Sequence, residues 1–511
     1  MNRSVGRGAF VLIISGIICK LFGAFFRLPL TNILGMEGIA FFQMVMSLYS
    51  LAVVFISNGL TNALSKLISS ARAKGERVKA GAYLKLALKY VLIVSFSLGS
   101  ILAIFSKQIA SIQGWKGVGS YILMLFLLPL GGLIGVYRGV IQGHENMTPT
   151  ALSQIIEQVS RFAFGLVFAY LFGKQSVNAG VFGAFLGIVI SEALAFVYLQ
   201  FALSRNVKGY KDSGQGSLSE RKEFYHAVLP LSFSNAVIPL SHAIESLVIL
   251  PLLSLAGIGS EIAKKLYGLQ TGMVGTILSF PLLVSLAVGM ALLPKVSYLS
   301  TSGEVEAERT TVNRAFCVMW AFLVPLVLGM TAISKEFYLL VYPSVIKDYI
   351  LIAQDLTYIT AISTLMAGVM QFLFAILQGK GLYRQALYFS LIGGGVKILS
   401  LVIFARMGRI GIYAIPISNA LLNSTIALCS IIKLYKLVKI DVFSLLLPPL
   451  SGVVMLMSVR LLLSAVQGLA GLILSVIAGG IVYVVLTLPL WNEILKPFID
   501  KIKKGQKRLE N

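Results

Sequence analysis

Charged residues are scarce in this chain. They make up 12% of 511 residues, where soluble domains carry about a quarter. With 57% hydrophobic residues and a mean hydropathy of +0.88, a soluble fold is excluded and an all-α integral membrane protein is expected. Histidine is rarer still: His144, His226 and His242 stand apart and form no cluster. The three cysteines, Cys19, Cys317 and Cys429, show no CxxC spacing. They read as small buried hydrophobes, so neither a disulfide framework nor a metal site is indicated, and no cofactor is expected. A nucleophile elbow and a phosphate loop are both missing, and the outer connectors are too short for a membrane glycan polymerase or ligase. The chain reads as a non-enzyme.

Acidic residues are few as well, 20 against 43 Lys and Arg, for a net charge of +23. Nucleic acid is a poor partner for that charge, because the cations lie in short connectors between apolar runs rather than on one basic domain. Anionic membrane lipids account for the excess better.

What the chain does have is apolar spans. They fall near 9–30, 39–68, 82–106, 118–142, 150–173 and 177–203, then near 225–252, 266–294, 311–333, 350–378, 382–405, 410–436, 443–465 and 468–491. Each is long enough to cross a bilayer, giving about fourteen helices. The first is too long for a signal peptide and lacks a small-residue cleavage site, so it counts as a membrane helix. Lys and Arg concentrate on one side: Arg3 and Arg7, the run Arg72 to Lys79, the 204–223 connector, Lys433 to Lys439 and the basic tail. That bias places both termini in the cytoplasm of a cell membrane.

The polar connector 204–223 reads as a hinge between two six-helix lobes, 1–203 and 224–440. Helices over 441–492 and a basic tail, 493–511, follow. An internal repeat supports the division. Gln142-Gly143 is echoed by Gln378-Gly379 and Arg161 by Lys397, at the same spacing, and Gly59 to Lys66 is echoed by Gly289 to Lys295. Duplicated lobes of this kind face each other across a substrate site and rock about it.

Several ionisable residues lie deep in the spans, where each costs at least ~2.5–3.5 kcal/mol without a partner or a watery cavity. Lys20 and Arg27 are two turns apart on nearly one face of the first span. Two such cations suit a diphosphate, although Arg27 could also snorkel to the outer interface. Glu157 and Arg161 are an i,i+4 pair, either a self-satisfied salt bridge or a cation held ready for substrate. Glu245 and Lys397 are their counterparts in the second lobe, where a built-in ammonium would replace a coupling ion. Glu192 is a further deep acid with no obvious local partner. Asn58 and Asn62 flank Gly59, lining a cavity or tying helices together. Gly131, Gly132 and Gly135 permit close helix contact, and Pro129, Pro281 and Pro325 lie inside spans as potential kinks.

The run Arg138-Gly-Val-Ile-Gln-Gly-His-Glu-Asn-Met-Thr-Pro-Thr-Ala-Leu-Ser-Gln-Ile-Ile-Glu-Gln-Val-Ser-Arg161 resembles a signature of the SpoVB/YtgP group of the MurJ-like, MATE-like (MOP superfamily) lipid-linked oligosaccharide flippases. The segments Lys20 to Gly38, Ser57 to Lys66, Tyr267 to Met273 and Leu377 to Gly381 continue the resemblance over nearly the whole chain. It implies alternating-access translocation of an undecaprenyl-diphosphate-linked saccharide from inner to outer leaflet. The implied cargo is lipid II for peptidoglycan synthesis, with capsule, teichoic acid and spore-cortex precursors as alternatives. It further implies that cations of the first helix, here Arg27 and Lys20, engage the diphosphate. The expected substrate-binding set is therefore Lys20, Arg27, Asn58, Glu157, Arg161, Glu245 and Lys397. Expected partners are the lipid-linked saccharide, membrane lipids and cell-wall synthesis enzymes, with no nucleic acid. A MATE-type cation or drug antiporter and a non-transporting scaffold are the rival readings. The first would call for a carboxylate-dominated, aromatic cavity.

Overall fold

The computed structural model describes residues 3–206, 217–439, 441–466 and 468–491; within these, the side chains of residues 3–10, 12, 13, 58 and 231 are left aside. Half of the connector 204–223 and all of the tail 493–511 thus lie outside the described residues. Those described are almost wholly helical, with no strand among them, and the protein is an all-α, multi-pass membrane protein. Among the described residues, thirteen helical runs are long and apolar enough to cross a membrane. The first, Ile14–Ala73, has 60 residues and would be ~90 Å long if straight, three times a bilayer core. It is broken at Gly35, whose φ of 69° and ψ of −178° are open to glycine and strained for other residues. That break makes two crossings from one run, and fourteen among the described residues.

In chain order the elements that matter are α1 (Arg3–Val53, two legs about Gly35), α2 (Gly59–Ala73), α3 (Arg77–Ile104), α4 (Met124–Gly143), α5 (Thr148–Gly173), α6 (Val177–Asn206) and α7 (Leu218–Leu255). They continue as α8 (Ser260–Gly268), α9 (Leu282–Ser302), α10 (Val305–Ala332), α11 (Ile350–Gly379), α12 (Tyr383–Ala405), α13 (Ala414–Lys433), α14 (Val442–Ala465) and α15 (Gly468–Leu486). Local chemistry sets several boundaries. Ser217 and Glu220 form a capping box that opens α7. Pro149 sits in the first turn of α5, and left-handed Gly303 closes α9.

The expected span 266–294 is not one helix. It divides into α8, a π-helical stretch Leu269–Val274, a short turn of helix and then α9, whose N-cap is Pro281. Proline has no N–H to continue the preceding ladder, so the apolar run breaks there although its hydropathy does not. Pro129 and Pro325, by contrast, lie inside α4 and α10. The repeat maps onto equivalent positions: Gly143 and Gly379 end α4 and α11, and Arg161 and Lys397 lie in the helices that follow.

The chain forms two compact units, one running to Thr276 and adding Tyr383–Ser418, the other comprising Ile277–Leu382 and the chain from Asn419. In the first, the α5–α6 hairpin packs on α1, α4 packs on α2 and α3, and α7 packs on α12. Leu64, Tyr83, Tyr90, Val140 and Phe224 fill one end of its core, drawn from α2, α3, α4 and α7. In the second, α9 packs on α10 and α11, and α14 on α10 and α15. Met455, Val459 and Tyr483 join that last contact.

Candidate functional site

Five polar side chains from four helices of the first unit converge around Glu157. Arg138 reaches across from α4, its Nε donating to Ser153 Oγ at 2.9 Å and its Nη2 to Glu157 Oε2 at 2.9 Å. One turn along α5, Arg161 Nη2 donates to the other carboxylate oxygen at 2.8 Å. Arg161 also stands 3.8 Å from Glu192 Oε1 on α6. That carboxylate accepts a hydrogen bond from the phenol of Tyr49 on α1. Glu192 is 2% exposed, yet its Oε2 and the Nε of Arg161 have no hydrogen-bond partner among the described residues. Buried groups of this kind are ordinarily satisfied, so Arg161 Nε and Glu192 Oε2 keep hydrogen-bonding capacity that the described residues leave unused. Gly131 makes room for the Glu192 carboxylate: a Cβ at this position would approach Oε2 to 3.2 Å. Gly132 and Gly135 instead pack on Val91 and Ser57 and serve helix contact.

Arg27, on the first leg of α1, is close enough to Arg161 for the two guanidinium charges to repel. Its guanidinium makes no ion pair or hydrogen bond among the described residues, and neither does the exposed Lys20. The cluster therefore holds three arginines, Arg27, Arg138 and Arg161, against two carboxylates. On roughly the opposite side of the same leg, at 3.6 residues per turn, an open and wholly apolar hollow of about 560 Å³ is lined by Ile18, Leu21, Phe22, Phe25, Leu28 and Phe162, among others. Cations line one face of this helix and lipid-compatible side chains the other.

A second cluster lies where α7 meets α12. Lys397 is wholly buried. Its Nζ is 2.8 Å from Glu245 Oε2 and 2.8 Å from Nδ1 of His242. His242 in turn lies 3.8 Å from Glu245. The structure thus brings Glu157 with Arg161 and Glu245 with Lys397. Asn58 belongs to a π-helical stretch, Val54–Asn58, and its side chain lies outside the described residues. The cysteines are free and half-buried rather than buried. Among the described residues no group of three His, Cys, Asp or Glu converges to hold a metal ion.

Three participants escaped the sequence reading. Arg138 was visible only as part of a motif, although its place one loop before Glu157 was a usable signal. His242 looked isolated, but its i,i+3 spacing to Glu245 put both on one helix face. Tyr49 gave no signal, since its partner Glu192 is 143 residues away.

A multi-pass helical protein with cations lodged at the middle of its spans belongs among the membrane transport folds, and the comparisons agree. The family model described as polysaccharide biosynthesis protein matches residues 5–300, more than half of the chain, and the protein belongs to that family. Stage V sporulation protein B of Bacillus subtilis (strain 168) is 27% identical over 298 residues, covering 57% of this chain and 58% of that protein. The match therefore spans less than two thirds of that relative's length. The lipid II flippase MurJ of the same organism is 25% identical over 368 residues, 67% of each chain. Among solved structures, a lipid II flippase MurJ in an inward closed conformation aligns with a TM-score of 0.74 at 13% identity, covering 96% of this chain and 100% of that one. An inward-facing MATE family multidrug resistance transporter of the MOP superfamily aligns with a TM-score of 0.64 at 15% identity, over 81% and 93%. At these identities the structural likeness establishes the fold.

Proposed function

We propose that the protein is a flippase that carries an undecaprenyl-diphosphate-linked cell-envelope precursor, lipid II for peptidoglycan synthesis, from the inner to the outer leaflet. One observation carries the reading: Arg27, with no ion-pair partner among the described residues, beside Arg161, whose Nε is unspent. A diphosphate presents several anionic oxygens and matches guanidinium forks bidentately. In this reading Arg27, Arg161 and Lys20 take the head group. Glu157, itself gripped by Arg138, holds Arg161 in place, and the polyprenyl tail lies in the apolar hollow on the other face of α1. A charged, sugar-bearing head cannot cross hydrocarbon unaided, so the cationic path is the protein's contribution. Lobes 1–203 and 224–440 rock to expose the head group first to the cytoplasm, where both termini lie, and then outside. The excess of cations over carboxylates disfavours a cation antiporter on this fold.

The test is to deplete the native lipid II flippase of a bacterial host, express this chain and measure surface-exposed lipid II. Rescue by the wild type and loss with Arg27→Ala and with Arg161→Ala is expected. A correctly inserted wild type that gives no rescue refutes lipid II as cargo and directs the search to capsule, teichoic acid or spore-cortex carriers.

A further inference from the structure

The second unit has a hollow of its own, built from none of the charges in the two clusters above. It measures about 510 Å³ and lies where α10 and α14 end, α15 begins and the short helix Ser334–Val341 opens. Its polar lining is Lys335 and Glu336 from the short helix, Gln354 from α11, and Arg460 and Ser464 from α14. Two cations share the hollow with one carboxylate, for a net charge of +1. The side chains of Lys335, Glu336 and Gln354 make no ion pair or hydrogen bond among the described residues. Arg460 lies over the Tyr358 ring, 5.2 Å from its centroid, and its Nη2 donates to the Tyr358 phenol. That contact fixes the guanidinium and leaves the rest of its fork unused among the described residues.

We propose that this hollow binds the head group of a monoanionic, hydroxyl-bearing phospholipid, phosphatidylglycerol, whose acyl chains stay in the bilayer. The phosphodiester oxygens accept from Arg460 and Lys335. Head-group hydroxyls donate to Glu336 and Gln354 and accept from Ser464. One negative charge balances the lining. A phosphate monoester would overshoot it and be repelled by Glu336, and a choline head has no hydrogen to give that carboxylate.

The position of the hollow favours a lipid over free phosphate. Ala332 and Ala465 are the last residues of two spanning helices, and such ends lie at the depth of the head groups. Leu339 and Leu340 beside it on the short helix, Leu461 on α14 and Leu469 on α15 are all exposed, an apolar flank that suits acyl chains and not an inorganic ion. Snorkelling accounts for one arginine near a helix end, but not for a hollow that gathers Lys335, Glu336 and Gln354 with it. With both termini in the cytoplasm, as proposed above, the hollow opens to the outer leaflet. Only that choice of leaflet rests on the flippase reading.

The test uses the full chain, delipidated in detergent and titrated with phosphatidylglycerol, with the first bound lipid followed by native mass spectrometry. The wild type should hold phosphatidylglycerol more tightly than phosphatidylethanolamine or phosphatidylcholine. Lys335→Gln with Arg460→Gln should weaken that binding roughly twenty- to thirtyfold, about fivefold for each cation, while Arg460→Lys keeps most of it. Both cations are exposed, so the unfolding temperature without lipid should not change. Gln354→Glu, which brings the lining to neutrality, should also weaken binding and decides the matter if the double variant does not fold. Equal affinity in the wild type and these variants, or phosphatidylethanolamine held as tightly as phosphatidylglycerol, overturns the proposal. Displacement of the lipid by an excess of inorganic phosphate overturns it too, and identifies a site for the free ion. No lipid-linked saccharide is present, so failure here is separable from failure of the cargo assay.

Discussion

Gly268 packs so tightly on Met36 that a Cβ at position 268 would lie 1.9 Å from the Met36 carbonyl oxygen. One turn on, Gly272 packs on Ile39, where a Cβ would come within 2.6 Å of the side chain. Gln43 Nε2 donates to the Thr271 carbonyl at 3.2 Å beside them. Small residues four apart are how membrane helices bring backbones together. Here they join the second leg of α1 to α8 and the π-helical stretch after it. Gly268→Ala is expected to force this contact open and to destabilise the fold by about 1–3 kcal/mol. Thermal unfolding in detergent measures the loss.

Glu157 neutralises two guanidinium groups at once, so its removal should cost more than removal of either arginine. Glu157→Gln leaves Arg138 and Arg161 facing each other in a part-buried site, and a loss on the order of 3–5 kcal/mol is expected. Adding Arg138→Gln to that variant should recover part of the loss. Strict additivity in a double-mutant cycle on unfolding temperature would show that the two side chains do not share Glu157.

At the opposite end of α7 from His242 and Glu245, Glu223 accepts from the Tyr83 phenol at 2.6 Å and pairs with Lys79 at 3.0 Å. Nearby, Gly59 of α2 lies against Ser232, whose backbone is 2.9 Å from where a Cβ would be. Glu223 is 47% exposed, so Glu223→Ala should change global stability by only ~0–1 kcal/mol. Its expected effect is on closure of this end, read as faster thiol labelling of a cysteine at Ser232.

Asp441, outside the spans, caps α14 by accepting from the Ser444 amide at 2.7 Å. Partial burial works against its charge, but the hydrogen bonds from Ser444 prevail and hold the carboxyl below its ordinary range. A depressed carboxyl binds protons more readily in the unfolded state, so its contribution is complete above the ordinary value near 3.9 and fades as pH falls through the lower native value. Asp441→Ala is expected to cost about 0.5–2 kcal/mol at neutral pH. Protection of the first-turn amides of α14, taken relative to their intrinsic exchange rates, should fall in the wild type at acid pH, and be low and independent of this step in the variant.

The number and order of crossings could be read in the sequence because hydropathy over twenty residues is a local property. The duplication was likewise legible, down to Gly143 and Gly379 ending corresponding helices. Helix breaks were less so. The break at Gly35 falls in the gap between the spans drawn at 9–30 and 39–68, but the span drawn at 266–294 is divided by Pro281. Hydropathy averages over a break inside an apolar run and does not register it.

Sequence by itself determined that this chain is a helical membrane protein with ionisable residues where lipid excludes them, and that Glu157 and Arg161, one turn apart, could pair. Tertiary structure alone decided which charges are spent. Glu192 meets Tyr49, Lys397 meets Glu245 and His242, and Arg138 completes the grip on Glu157, while Arg27 stands beside Arg161 with no ion pair among the described residues. The reason is one of range. Burial cost attaches to a residue wherever it stands in the chain, whereas an ion pair requires two side chains within about 4 Å, and only the packing of distant helices brings them that close.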